Sequence, residues 1–387
     1  MSRKHKVILA ILKPIIRIYS KLQFGFKYEK VKKRELPERY IVLANHATDY
    51  DPILIGAALP GHCYFVASEH ITRFKAFKYI KWAFDPIIRY KGGVASATVM
   101  NVLRRIKGGY NVAIMAEGVR TFDGVTCPIL PSTAKLIKAS KCALITYKLT
   151  GGYFISPAWA SSANTRKGDF NGRVKNIYTK EQIAQMSETE IYEIITRDLY
   201  ENAYETQLAN PKPYKGKNLS DGLESLLFVC PKCDARASFE SKGDKIVCKD
   251  CGAEITYDEY GMLSGTQFKT VLDFSKWQDS VVEKDVENGV SYTADSAELY
   301  EVNSNHEIVL KSTGALAFTT TSLTCGDTKI ALDEIYDMST CGRYKIMFAV
   351  NKTYYELKLS KNSNIIRFCK YFKVCKAREK ADLASSN

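Results

Sequence analysis

The chain has 387 residues, 45% of them hydrophobic, and a formal net charge of +14 at pH 7. That length and apolar content exclude a chain too poor in core residues to fold, and they suffice for two or three domains. The positive balance calls for an anionic partner, for which nucleic acid, acidic lipid headgroups and an acidic carrier protein all qualify. At the amino terminus, residues 7–26 are largely apolar, yet Lys13, Arg17 and Lys21 recur at every fourth position and Pro14 interrupts. No span of about 20 apolar residues is left to cross a bilayer, and no small-residue cleavage site marks a removable signal peptide. Three cations on one stripe, opposed by Val7, Ile8, Leu12, Ile15, Ile16, Tyr19 and Leu22, predict an amphipathic segment over residues 1–26. Such a helix lies in a membrane interface, with packing on the protein's own core as the alternative.

A short β-prone apolar run, Tyr40 to Ala44, precedes Asn45, His46 and, five residues after the histidine, Asp51. Pro52 suits the first turn of a helix running through Ile53 to Leu59, so residues 46–51 read as a loop from a buried strand into that helix. Sites in α/β folds favour such strand ends. An unperturbed histidine, with a pKa of about 6.5, suits the work of a general base, and a nearby carboxylate fixes its tautomer. Further on, Phe84 to Arg89 forms an arginine-bearing block. Val99, Val102, Leu103 and Ile106 mark a helix over 96–107, closed by Gly108 and Gly109. The strand Asn111 to Ala116 then ends abruptly at Glu117-Gly118-Val119-Arg120, where an arginine can grip a phosphate with two parallel hydrogen bonds. A solvated arginine in an ordinary turn is the plainer reading of those four residues alone.

Taken with Ile145 to Tyr147 and Ser156-Pro157, these blocks resemble, in order and spacing, the glycerolipid acyltransferases typified by 1-acylglycerol-3-phosphate acyltransferase, over roughly the first 210 residues. The resemblance implies an acyltransferase domain over 27–218, a mixed sheet flanked by helices. It implies His46 as general base on the acceptor hydroxyl, Asp51 as its orienting partner, and a phosphate site shaped by Arg120 with Glu117, Gly118 and Arg89. The acceptor would be a lysophospholipid or a glycerol phosphate. The donor would be a thioester of coenzyme A or acyl-carrier protein, attacked directly by the acceptor without a protein nucleophile or a further catalytic cofactor. Val119 stands where the family usually has Thr, and Ala116 where it has Pro, so the turn lacks that hydroxyl.

Ser187 to Glu190 is a capping box opening a helix that runs toward Gln207, and Pro211 to Lys217 reads as a linker. Beyond it, Cys230-x2-Cys233 and Cys248-x2-Cys251, fourteen residues apart, have the spacing of a four-cysteine zinc site. With a hairpin between the pairs, residues 219–262 predict a zinc ribbon whose metal is structural, since four thiolates leave no position for water. Two disulfides are the alternative, which the missing secretory signal disfavours. In residues 263–378, short runs at 297–302, 307–311, 315–319, 329–332, 344–350 and 354–359 read as strands, and 364–376 as a helix. Together they resemble a pleckstrin-homology-type domain closed by that helix. Residues 379–387 read as a disordered polar tail. These features together predict a peripheral enzyme of phospholipid biosynthesis on the cytoplasmic face of a membrane with anionic lipids. A zinc-ribbon nucleic-acid binder and an inactive lipid-binding scaffold are the alternatives; no aromatic-basic recognition motif accompanies the ribbon, so nucleic acid is not expected.

Overall fold

The computed structural model describes residues 3–73, 75–89, 95–161, 163–303, 307–351, 353–360 and 363–385. The chain divides into two compact units, one of Met1–Ala158 with Thr165–Gly216, the other of Trp159–Asn164 with Lys217–Asn387.

In the first unit the chain runs α1 (Arg3–Phe24), β1 (Lys27–Tyr28), β2 (Tyr40–Ala44), α2 (Asp51–Ala58), β3 (Cys63–Ser68), α3 (Phe77–Phe84), β4 (Ile87–Arg89), α4 (Ala95–Lys107) and β5 (Asn111–Met115). It continues through α5 (Ser132–Ser140), β6 (Ala143–Thr150), α6 (Gly152–Ile155), β7 (Asn171–Tyr178), α7 (Lys180–Gln185), α8 (Glu188–Leu199) and α9 (Ala203–Ala209). The sheet has seven strands in the order β1-β7-β6-β2-β5-β3-β4. Strands β6, β2, β5, β3 and β4 are parallel neighbours, while β7 runs antiparallel to β6, the mixed sheet the resemblance implies. All five residues of β2 are buried, as a central strand covered on both faces requires. The capping box is in place, Ser187 accepting from the Glu190 amide, but α8 stops at Leu199. The Asn202 side chain then caps a separate α9, so the helix expected to reach Gln207 is two helices. The expected linker is also anchored at its start: Tyr214 is buried, and Lys215 exchanges two 2.9 Å backbone hydrogen bonds with Lys167.

Helix α1 forms as expected, but its faces are assigned differently. Lys13 donates to the carbonyls of Leu59, at 2.7 Å, and Gly61. Arg17 Nε donates to Ala57 O at 2.8 Å. Both cations thus serve the free carbonyls and negative dipole end of α2. Burial lowers the Lys13 pKa to about 8. Turning this stripe inward leaves Val7, Ile11, Ile15, Ile18 and Leu22 exposed along the opposite face, with Leu22 66% accessible. Ile8, Leu12 and Ile16, expected on the apolar face, are half-buried instead. Among the described residues no helix is long and apolar enough to cross a membrane.

The second unit contains β8 (Phe239–Lys242), β9 (Lys245–Cys248), β10 (Glu254–Tyr257) and β11 (Leu263–Ser264), a four-stranded sheet that includes the expected hairpin. Helix α10 (Val271–Glu287) follows, an element the periodicity reading passed over although Thr270 and Asp273 mark its capped start. Its buried Gln278 accepts from the Phe228 and Val229 amides at 2.6 and 3.1 Å, fastening the chain just ahead of the first cysteine pair. Strands β12 (Tyr292–Val302), β13 (Ile308–Phe318), β14 (Ser322–Cys325), β15 (Thr328–Ala331), β16 (Ile335–Cys341), β17 (Lys345–Val350) and β18 (Thr353–Leu359) make a seven-stranded antiparallel sheet, followed by α11 (Ile365–Ser385).

Two of the expected runs, 307–311 and 315–319, are one strand. Gly314 lies mid-strand because β13 passes close to the next turn: a Cβ there would sit 2.8 Å from Gly326 Cα. Strands β14 and β16 are additional to the expected set. The polar tail is helical as far as Ser385, because α11 continues past the expected end; residues 386–387 lie outside those described.

Candidate active site

The loop after β2 and the turn after β5 emerge side by side, because the two strands are parallel and Ala44 pairs with Met115. On the other flank, the buried Asn45 extends the ladder toward β6. Its amide accepts from Leu149 N at 2.8 Å and donates to Leu149 O at 2.9 Å. The strand end preceding His46 is therefore held on both sides.

Asp51 is wholly buried at the start of α2, with Pro52 in the first turn as expected. Its Oδ2 accepts the Ala47 and Thr48 amides at 2.7 and 2.9 Å and lies 2.9 Å from His46 Nδ1. Its Oδ1 accepts the Thr48 hydroxyl at 2.5 Å. A carboxylate so thoroughly hydrogen-bonded is fixed in place, and it assigns the Nδ1 proton to the half-buried ring, leaving Nε2 as the basic atom. Thr48 was not among the expected site residues. The Thr-x-x-Asp spacing, a cap signature, was the signal for it.

Glu117 faces inward. Its carboxylate accepts the His46 amide at 2.5 Å and the Cys127 amide at 2.6 Å, tying the β2 loop to the segment after the β5 turn. Burial pushes its carboxyl up to about 7, against the two amides that favour the charged form. The Thr121 amide donates to His46 O at 3.2 Å, a further link between loop and turn. A narrow cavity behind the histidine is lined by Asn45, His46, Glu117, Thr121, Thr126 and Glu201.

Gly118 has φ +71°, and a Cβ there would meet Arg89 Nη1 at 3.1 Å, so the exposed Arg89 from the edge strand β4 reaches this turn. Arg120 is largely buried; its Nη1 donates to Ser156 O at 3.4 Å, and its Nε lies 3.1 Å from Asp49 Oδ1. All six expected residues, His46, Asp51, Arg89, Glu117, Gly118 and Arg120, thus belong to one strand-end site, as does the Ser156-Pro157 block. Asn45, Thr48, Asp49 and Cys127 were not anticipated in it.

In the second unit the sulfurs of Cys230, Cys233, Cys248 and Cys251 all lie within 4.8 Å of one another. The separations Cys230–Cys251 and Cys233–Cys248 are 3.7 and 3.8 Å. A disulfide needs about 2.05 Å, whereas four thiolates at about 2.3 Å from a tetrahedral ion are spaced about 3.8 Å apart. These four cysteines can therefore hold a metal ion. Nearby, Arg236 pairs with Asp285 at 3.2 Å, and Asp285 accepts the Tyr292 hydroxyl at 2.7 Å, bracing this region against α10.

The model of the family described as Acyltransferase matches residues 27–155, which span both the His46 loop and the Arg120 turn. No curated protein matches the chain in sequence. Among solved structures, the chain is similar to the 1-acyl-sn-glycerophosphate acyltransferase of Thermotoga maritima, at 15% identity and a TM-score of 0.44, covering 54% of this chain and 81% of that one. A second likeness, to the N-terminal PH domain of human ARAP2, has 10% identity and a TM-score of 0.19, covering 24% and 83%. Both are likenesses and nothing more. Residues 27–155, with the strand-end site they carry, are thus the part of the chain that matches the Acyltransferase family model.

Proposed function

We propose that the protein works at a membrane surface, moving a fatty acyl group from a thioester of coenzyme A or acyl-carrier protein to the hydroxyl of a lysophospholipid or glycerol-phosphate acceptor. The observation that carries this reading is the 2.9 Å His46–Asp51 pair, assembled beside Arg120 where two parallel strands end. His46 Nε2 takes the acceptor's hydroxyl proton as its oxygen attacks the thioester carbon. Collapse of the tetrahedral intermediate breaks the carbon–sulfur bond, and the imidazolium returns the proton to the departing thiolate. Asp51 holds the ring and supports its transient charge. Arg120, with Arg89 at Gly118, binds the acceptor phosphate. An intact base pair of this kind supports catalysis over a lipid-binding scaffold.

Purified protein given a labelled acyl thioester and a panel of lysolipids and glycerol 3-phosphate should form labelled ester; no product with any acceptor would sink the reading. In the same assay Arg120→Lys, which keeps the charge but loses the planar fork, should raise acceptor KM by about tenfold with donor KM little changed. Equal acceptor saturation in variant and parent would remove Arg120 from this role.

The exposed stripe of α1 supports membrane docking, and exposed Tyr79 and Trp82 on α3 add to it. Because Lys13 and Arg17 are engaged with α2, apolar insertion rather than charge should dominate binding. Deleting the helix would also strip Leu9 and Phe24 from the core, so surface substitution is the cleaner test. Changing Ile11, Ile15, Ile18 and Leu22 together to Ser should weaken binding to anionic vesicles by roughly a hundredfold or more in a sedimentation assay. Unaltered sedimentation would show that α1 is not the docking face.

Among the described residues, the four-cysteine cluster is the only group of metal-ligating residues close enough together to hold an ion, and zinc is the ion its all-thiolate donor set suits best. Its role is to fold the ribbon, with no position left for a catalytic water.

A further inference from the structure

Asp49 was not part of the expected site, and its placement bears on acceptor selection. It lies between the orienting Thr48 and the α2 start, is 61% exposed at its side chain, and puts Oδ1 3.1 Å from Arg120 Nε. Arg120 itself is only 17% exposed, so Asp49 occupies the solvent-facing approach to a guanidinium that also donates to the Ser156 carbonyl. A carboxylate on that approach does two things to a phosphate monoester arriving from solvent. It competes for the same N–H edge, and it repels the incoming charge.

Resting on the acyltransferase reading, we infer that Asp49 is a specificity-determining residue: a built-in counter-ion to Arg120 that the acceptor phosphate must displace. The pair is exposed on one side and held by a single contact, so displacement is affordable. Because the Asp49 partner is largely exposed, water weakens its hold on the arginine, which sets the handicap on the acceptor at several-fold rather than many orders of magnitude. The device sets a threshold. Acceptors whose phosphate is dianionic and can engage Arg120 on two N–H groups displace Asp49, whereas weakly charged or neutral glycerides do not.

The test uses the full chain and calorimetric titration with two phosphate monoesters, glycerol 3-phosphate and a micellar lysophosphatidate, so that soluble and lipid sources of the same headgroup are distinguished. Asp49→Asn, which keeps size and hydrogen-bonding capacity but removes the charge, should bind either ligand roughly fivefold more tightly than the parent. In an Arg120→Gln background the same substitution should give a clearly smaller gain, because the competition it relieves is absent. A gain with either monoester, shrinking in that background, supports the inference. Equal or weaker binding by Asp49→Asn, or a gain of the same size without Arg120, overturns it and makes Asp49 a positioning residue for the arginine or a bystander. Acyl transfer measured in parallel separates the two claims. Tighter phosphate binding in a protein that forms no ester would sink the enzyme reading while leaving Asp49's role intact, and ester formation with unchanged binding would do the reverse.

Discussion

His46→Ala should lower acyl transfer by about 10²–10⁴-fold while leaving the protein folded, the range lost when general-base help is removed. That corresponds to about 3 to 5 kcal/mol of the activation barrier. Folding should survive because the ring is half-buried at a loop, and the backbone bonds of that loop, from the His46 amide to Glu117 and from the Thr121 amide to His46 O, do not involve the imidazole. Asp51→Asn is the sharper variant. An amide can still contact Nδ1, but it presents no full charge to the imidazolium, and its NH2 group cannot accept from the Ala47 and Thr48 amides that now share Oδ2. Asp51→Asn should therefore reduce turnover and also cost stability, since buried donors would be left unpaired. A direct product assay on well-folded His46→Ala protein running at the parent rate would show that the base lies elsewhere.

Removing the metal from the second unit should unfold the ribbon. One zinc ion per chain is expected by elemental analysis. Cys230→Ser or Cys248→Ser, both buried ligands, should abolish its retention and melt the four-stranded sheet β8–β11, because in such small units metal binding and folding are one event. The structural metals of comparable sites supply on the order of 10 kcal/mol, more than this sheet can replace. Acyl transfer should change only indirectly. A protein purified free of metal, yet with the ribbon amides protected from hydrogen exchange, would refute the assignment.

The gathering of residues at both candidate sites was legible in the chain because each is written locally. A histidine and a carboxylate five residues apart on one strand-to-helix loop must lie close, and two Cys-x2-Cys pairs with a hairpin between them must converge. The capping box at Ser187, the proline in the first turn of α2 and the buried strand Tyr40–Ala44 were visible for the same reason, since each depends on neighbours within a few residues. Where the reading went astray, the deciding contacts were distant in sequence. Nothing near Ser312 and Gly314 indicates that β13 runs through them, because the reason is the close approach of Gly326. Nothing near Lys13 and Arg17 indicates that they turn inward, because their partners are carbonyls at the far end of α2.

By itself, then, the sequence determined which residues make up the candidate site and the four-cysteine cluster, and the alternation of strands and helices that carries them. Only the tertiary structure decided which faces and which partners those residues have. Parallel pairing of β2 with β5 brings Arg120 to the histidine loop, edge strand β4 brings Arg89 to Gly118, and the fold sets Asp49 against Arg120. The physical reason is that period and spacing encode interactions within a turn or a strand, whereas register between strands and the exposure of a helix face follow from burying the whole core at once.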